Sequence, residues 1–113
     1  AGAGQLPDEA IQCLEDEKVQ PLFSAASIWE VVIKSSLGRK DFRVDAALLR
    51  RGLLDNGYQE LPITSAHAQA VGRLPDVHRD PFDRILIGTA LCEGLKIVTP
   101  DPKIHDYPVP VIW

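Results

Sequence analysis

Four acidic residues, Glu30, Asp80, Asp83 and Asp101, stand at the edges of apolar segments rather than on polar faces. Glu30 lies in the first turn of an apolar helical pattern, directly after a short run that reads as a strand. Asp80 and Asp83 open another such pattern, three residues apart and so on one face of its first turn. Asp101 follows Ile97-Val98-Thr99 by two residues. Ligands of an open parallel sheet bind at the carboxyl ends of its strands. That edge would receive Glu30 and Asp101, with Asp83 joining from a helix start. Carboxylates gathered this way repel by about 4 kcal/mol per pair at about 4 Å, taking an effective dielectric of about 20. A cation makes such a cluster tolerable. Hard oxygen donors without His or Cys select Mg²⁺ or Mn²⁺. Such an ion lowers the pKa of a bound water and screens charge on a transferring phosphate, so the chemistry is metal-assisted phosphodiester hydrolysis.

Each of these residues also admits a structural role. Asp80 before Pro81 is a helix cap. Glu30 completes the capping-box pattern Ser27-Ile28-Trp29-Glu30. Asp83 can pair with Arg79 or Arg84 on the surface, and Asp101, between two prolines, can be a turn residue. Other chemistries have less support. His67, His78 and His105 are widely spaced and lack cysteine companions, against a zinc site. No nucleophile-elbow pattern surrounds Ser24, Ser27 or Ser36, and Ala1-Gly2-Ala3-Gly4 does not follow a strand as a phosphate loop does. The densest basic patch, Lys34, Arg39, Lys40 and Arg43 with Arg50 and Arg51 nearby, is either solvated helix surface or a stripe that tracks phosphates.

The elements that must position these groups follow from pattern and punctuation. Residues 1–5 form a flexible lead-in. Leu6-Pro7-Asp8-Glu9 starts a helix, with Pro7 at its first position, that buries Ala10, Ile11, Cys13 and Leu14 and ends near Lys18. A strand begins at Leu22, and Ser27 caps a helix that closes at Gly38 through a left-handed residue. A helix from about Asp45 turns Leu48, Leu49, Leu53 and Leu54 inward and ends at Asn56-Gly57. Tyr58 to Ile63 holds a second strand. Thr64 or Ser65 caps a small helix that stops before Pro75, and Asp80-Pro81 opens a helix ending at Gly94. Lys96 to Thr99 is a third strand and Val109 to Ile112 a fourth, after a proline-rich loop. Strands alternating with helices predict an α/β fold, a single domain over residues 1–113 with a central, mainly parallel sheet covered by helices on both faces.

Bulk properties bound the function. One domain of 113 residues with 45% apolar and 25% charged residues has an ordinary globular composition. A net charge of −4 argues against holding nucleic acid by bulk positive charge. Cys13 and Cys92 form no CxxC pair and read as buried thiols of a reducing compartment. No apolar run reaches the roughly 18 residues of a membrane helix, so the expected location is the cytoplasm.

The ordered blocks resemble a known family. Ser24-Ala25-Ala26-Ser27-Ile28-Trp29-Glu30, with Lys34-Ser35-Ser36-Leu37-Gly38, is similar to the second block of VapC-like PIN-domain toxins. His78-Arg79-Asp80-Pro81-Phe82-Asp83-Arg84 resembles their third block and Ile97-Val98-Thr99-Pro100-Asp101 their fourth. The ending Tyr107 to Trp113 is similar to their last strand, so the likeness runs from about Leu6 to Trp113. The resemblance implies a metal-dependent endoribonuclease, the toxin of a toxin–antitoxin system, whose acidic side chains hold Mg²⁺ or Mn²⁺. By motif, Glu30, Asp83 and Asp101 are the catalytic and metal-binding acids, and Asp80 is a neighbour that caps or assists. Lys34, Arg39 and Lys40 would guide the RNA backbone. The implied partners are RNA, a cognate antitoxin protein and a second copy of the chain, with no membrane.

The sequence departs from the pattern at one point. The family opens with a strand ending in a catalytic aspartate, and nothing here matches it; Asp8 sits at a helix start instead. The expectation is that this strand lies before Ala1 and that the chain starting at Ala1 would be poorly stable and inactive without it. The alternative is a catalytically inactive PIN-like module kept for antitoxin binding or dimerisation. A receiver-like signalling domain fits less well, because Lys96 precedes its strand rather than following it.

Overall fold

The computed structural model describes residues 7–38, 43–77, 79–99 and 101–112. Its elements are α1 (Asp8–Glu15), β1 (Leu22–Ser24), α2 (Ala25–Ser36), α3 (Ala46–Asp55), β2 (Gln59–Leu61), α4 (Ser65–Val71), α5 (Pro81–Glu93), β3 (Ile97–Val98), α6 (Pro102–His105) and β4 (Val111–Ile112). They form two compact units, one being Gln20–Ile63 and the other combining the residues up to Val19 with those from Thr64 onward.

In the unit Gln20–Ile63, β1 and β2 pair in parallel with Phe23 opposite Glu60. A parallel pair needs a long crossover, and α2 and α3 supply it. Ser24 ends the strand and caps the helix, its hydroxyl accepting from the Ala26 N–H at 3.0 Å. The Asp45 carboxylate caps α3 by accepting from Ala47 N–H at 2.9 Å and Leu48 N–H at 3.2 Å. Phe23, Ser24 and Ala26 are the buried residues here.

In the other unit the core is Ile87 and Ala90 of α5 with Ile104, Tyr107 and Val109, backed by Leu74, Leu95, Ile97 and Val111. β3 and β4 pair in parallel, Ile97 opposite Val111, with α6 in the connection. Helices α4 and α5 lie close because Gly88 has no side chain. A Cβ there would stand 3.1 Å from Val71 Cγ2 and 3.2 Å from the His67 carbonyl oxygen. Gly94 ends α5 at φ +66°, the left-handed conformation glycine adopts without strain.

Several expectations need correction. Helix α2 starts at Ala25 with Ser24 as its cap, so Ser27 and Glu30 are not a capping box. Pro7 is the N-cap of α1 rather than its first helical residue. That helix stops at Glu15, before Lys18, because Asp16 turns extended and its carboxylate holds the Lys18 N–H at 2.9 Å. Leu48 is 66% exposed and Leu54 39%, leaving Leu49 and Leu53 as the half-buried leucines of α3. Cys92 is exposed and Cys13 only half-buried, so neither thiol is a core residue. The proline-rich loop contains α6, opened by the Asp101 cap and Pro102. The α/β class and the parallel pairing stand. Among the described residues, however, the strands form two separate two-stranded sheets, so one continuous central sheet is not seen. No helix among them is long and apolar enough to cross a membrane.

Candidate functional site

The start of α5 is built from Asp80-Pro81-Phe82-Asp83. Asp80 takes extended backbone, and its Oδ1 accepts from the N–H groups of Phe82 at 2.9 Å and Asp83 at 3.3 Å. Pro81 follows at the first helical position, where a missing N–H costs nothing. Asp83 is thereby fixed in the first turn, half-buried, where the helix dipole favours negative charge.

Arg84, next in sequence, is an organiser of this region. Its guanidinium donates to the carbonyl oxygens of Val71 and Pro75 and to the Tyr107 hydroxyl, each at 3.1 Å. One side chain so ties the end of α4, the loop after it and the segment before β4 to the start of α5. A half-buried polar clamp of this kind holds a helix start in place.

Asp101 caps α6. Its Oδ1 accepts from the Lys103 N–H at 2.9 Å, while its own N–H donates to Thr99 Oγ1 at 3.1 Å. The residue is half-buried just beyond β3. Asp83 and Asp101 thus belong to one unit.

Glu30 belongs to the other unit and sits in the second turn of α2. Its carboxylate pairs with Lys34 Nζ at 3.0 Å, one turn along the helix. Such i,i+4 pairs on a helix surface contribute about 0.3–0.5 kcal/mol. Lys34 therefore takes part in an intrahelical ion pair, whereas Arg39 and Lys40 lie outside the described residues.

The candidate acids offer carboxylate oxygens, a donor type that fits a hard divalent cation. Among the described residues no three His, Cys, Asp or Glu side chains gather around one point. Mg²⁺ does not require such a cage, since it is ordinarily held by one or two carboxylates and retains several waters.

Two features carried little signal in the sequence. His67, set aside there as a lone histidine, is 2% exposed and ties α4 to α5. Its Nδ1 accepts from the Thr64 N–H at 3.1 Å, so the proton resides on Nε2, which donates to Glu93 Oε1 at 2.8 Å. The second feature is a cleft of about 520 Å³ at the α4–α5 junction, walled by Val71, Pro81, Arg84 and Ile85 with Asp76 and Arg79 at its rim. The Arg79-Asp80-Pro81-Phe82-Asp83-Arg84 run hinted at it, because both arginines flank the two acids.

The family model described as PIN domain matches residues 5–110, nearly the whole chain. No curated protein and no solved structure matches the chain.

Proposed function

The chain belongs to the PIN-domain family, commonly metal-dependent nucleases, and from that premise we propose that it is a Mg²⁺- or Mn²⁺-dependent endoribonuclease of the VapC-like toxin type. The observation that carries this reading is the start of α5. There a neighbouring aspartate caps the helix and an arginine clamps its flank, so that Asp83 is held in the first turn. Preorganised acids of this kind are what a hydrolytic metal site needs.

In this reading Asp83 and Asp101 hold the cation; for Glu30 a catalytic role rests on its motif alone. The ion, when bound, supplies a water of lowered pKa and a positive charge beside the scissile phosphate. Asp101 keeps Oδ2 outside its capping bond, so it can serve the site without unwinding α6. Asp80 supports Asp83 as its cap. Lys34, with Arg39 and Lys40, would guide the RNA backbone.

The proposed partners are a cognate antitoxin and a second copy of the chain, in the cytoplasm. Exposed Trp29 and Val32 on α2 and Leu48 on α3, at 60%, 49% and 66%, support a surface that a protein partner covers. A catalytically inactive module would show the same surface. Treating the protein with EDTA and adding back Mg²⁺ or Mn²⁺ in a fluorescence-quenched RNA assay separates the two. Cleavage restored by either ion is expected; no cleavage at any metal concentration would favour the inactive module.

A further inference from the structure

The cleft at the α4–α5 junction is lined by none of the four candidate acids. Its volume, about 520 Å³, lies within the range of small-ligand pockets, about 300–1,000 Å³. Ala68, Val71, Pro81 and Ile85 make its walls apolar. The polar groups around it fall into two kinds. Arg84 is taken up by two carbonyls and a phenol and acts as wall. Asp76 and Arg79 are exposed, and among the described residues neither the carboxylate nor the guanidinium has a hydrogen bond or ion pair. A cleft with flat apolar walls, one unused acceptor pair and one unused planar donor set therefore adjoins the helix turn that carries Asp83.

We propose that this cleft takes a guanine nucleotide of the RNA beside the cut, which rests on the endoribonuclease reading. A base has two apolar faces and an edge that must find polar partners, and single-stranded RNA is recognised by such stacking and edge contacts. A carboxylate accepts and cannot donate. Guanine alone presents two adjacent donors, N1–H and the N2 amino group, that both oxygens of Asp76 can accept at once. Adenine and cytosine place a ring lone pair beside their amino group, and uracil places carbonyl oxygens on both sides of its N–H. Each would set an acceptor against the carboxylate. Arg79 provides charge-assisted donors for the phosphate of the same nucleotide, a contact indifferent to the base. Asp76 is then a specificity residue and Arg79 an affinity residue.

The test is an NMR titration of the intact, metal-free protein with the 5′-monophosphates of guanosine, adenosine, inosine, cytidine and uridine. Guanosine monophosphate should shift the amides of Ala68, Val71 and Ile85 and bind about ten-fold tighter than the inosine nucleotide, the cost of one charge-assisted hydrogen bond, and tighter still than the adenosine nucleotide. Asp76→Asn should bring the five affinities within about two-fold of one another. Arg79→Ala should weaken all five alike and leave their order unchanged. Equal affinities in the unaltered protein, or a guanine preference that survives Asp76→Asn, would overturn the proposal. So would shifts produced at these amides by a basic, apolar peptide and by no nucleotide, which would assign the cleft to a protein partner. Binding is read here without metal or turnover. A protein that prefers guanine yet cleaves no RNA contradicts the nuclease reading alone, and one that cleaves RNA yet ignores guanine contradicts the guanine subsite alone.

Discussion

Asp80 and Asp83 share one helical turn but do different work. Asp80 Oδ1 satisfies two backbone N–H groups that the helix itself cannot satisfy. Its role should pass to any short side chain with an acceptor oxygen. Asp80→Ser should leave stability nearly unchanged, whereas Asp80→Ala should lose about 1 kcal/mol in a denaturant melt. RNA cleavage by Asp80→Ser should fall far less than cleavage by Asp83→Asn. Matched losses in the two variants would make Asp80 a ligand. His67 shows the same economy at another position: one ring closes the capping box of α4 and reaches Glu93 of α5. A buried imidazole between two helices is not legible in the sequence, since nothing local marks His67 for burial.

At the scale of elements, helix ends were the most legible features. Asp45, Thr64, Asp80-Pro81 and Gly94 terminate helices where their local chemistry says they should. Ser24 and Ser27 show the limit of that reading, because both have a cap's side chain and only the end of β1 decides between them. The apolar stripe of α3 was misjudged for a related reason. Six leucine and alanine positions in ten residues make several faces plausible, and packing leaves Leu48 outside. The α4–α5 contact was invisible, as it depends on Gly88 lying opposite Val71 and the His67 carbonyl. Gly88→Ala gains about 1 kcal/mol of helix propensity but crowds Val71 Cγ2 at 3.1 Å and the His67 carbonyl oxygen at 3.2 Å, so a net loss of about 1–2 kcal/mol is expected. Chemical denaturation measures it; a stabilised variant would mean that the helices separate freely.

Across the whole molecule, pattern gave the α/β class and parallel pairing, while the division into two parallel strand pairs depends on long-range partners that periodicity does not name. Charge acts at this scale too. With a net charge of −4, attraction for RNA must come from a few local groups rather than from an overall positive field. If about three phosphates are met, the affinity for single-stranded RNA should fall with salt at a log–log slope of about −2. Fluorescence anisotropy with a labelled RNA between about 50 and 200 mM salt, the span over which counterion release is marked, gives that slope. A slope steeper than about −5 would require a basic surface that the composition argues against.

Asp83 is proposed to hold the catalytic cation. Asp83→Asn keeps the side chain's size and the helix start while removing one charge, so it separates metal binding from folding. Calorimetric titration of Mn²⁺ into both proteins, with circular dichroism to confirm the same fold, is the direct measurement. The variant is expected to keep its melting profile but lose most of its Mn²⁺ affinity and its RNA cleavage together. Equal Mn²⁺ affinity in the two proteins would contradict it.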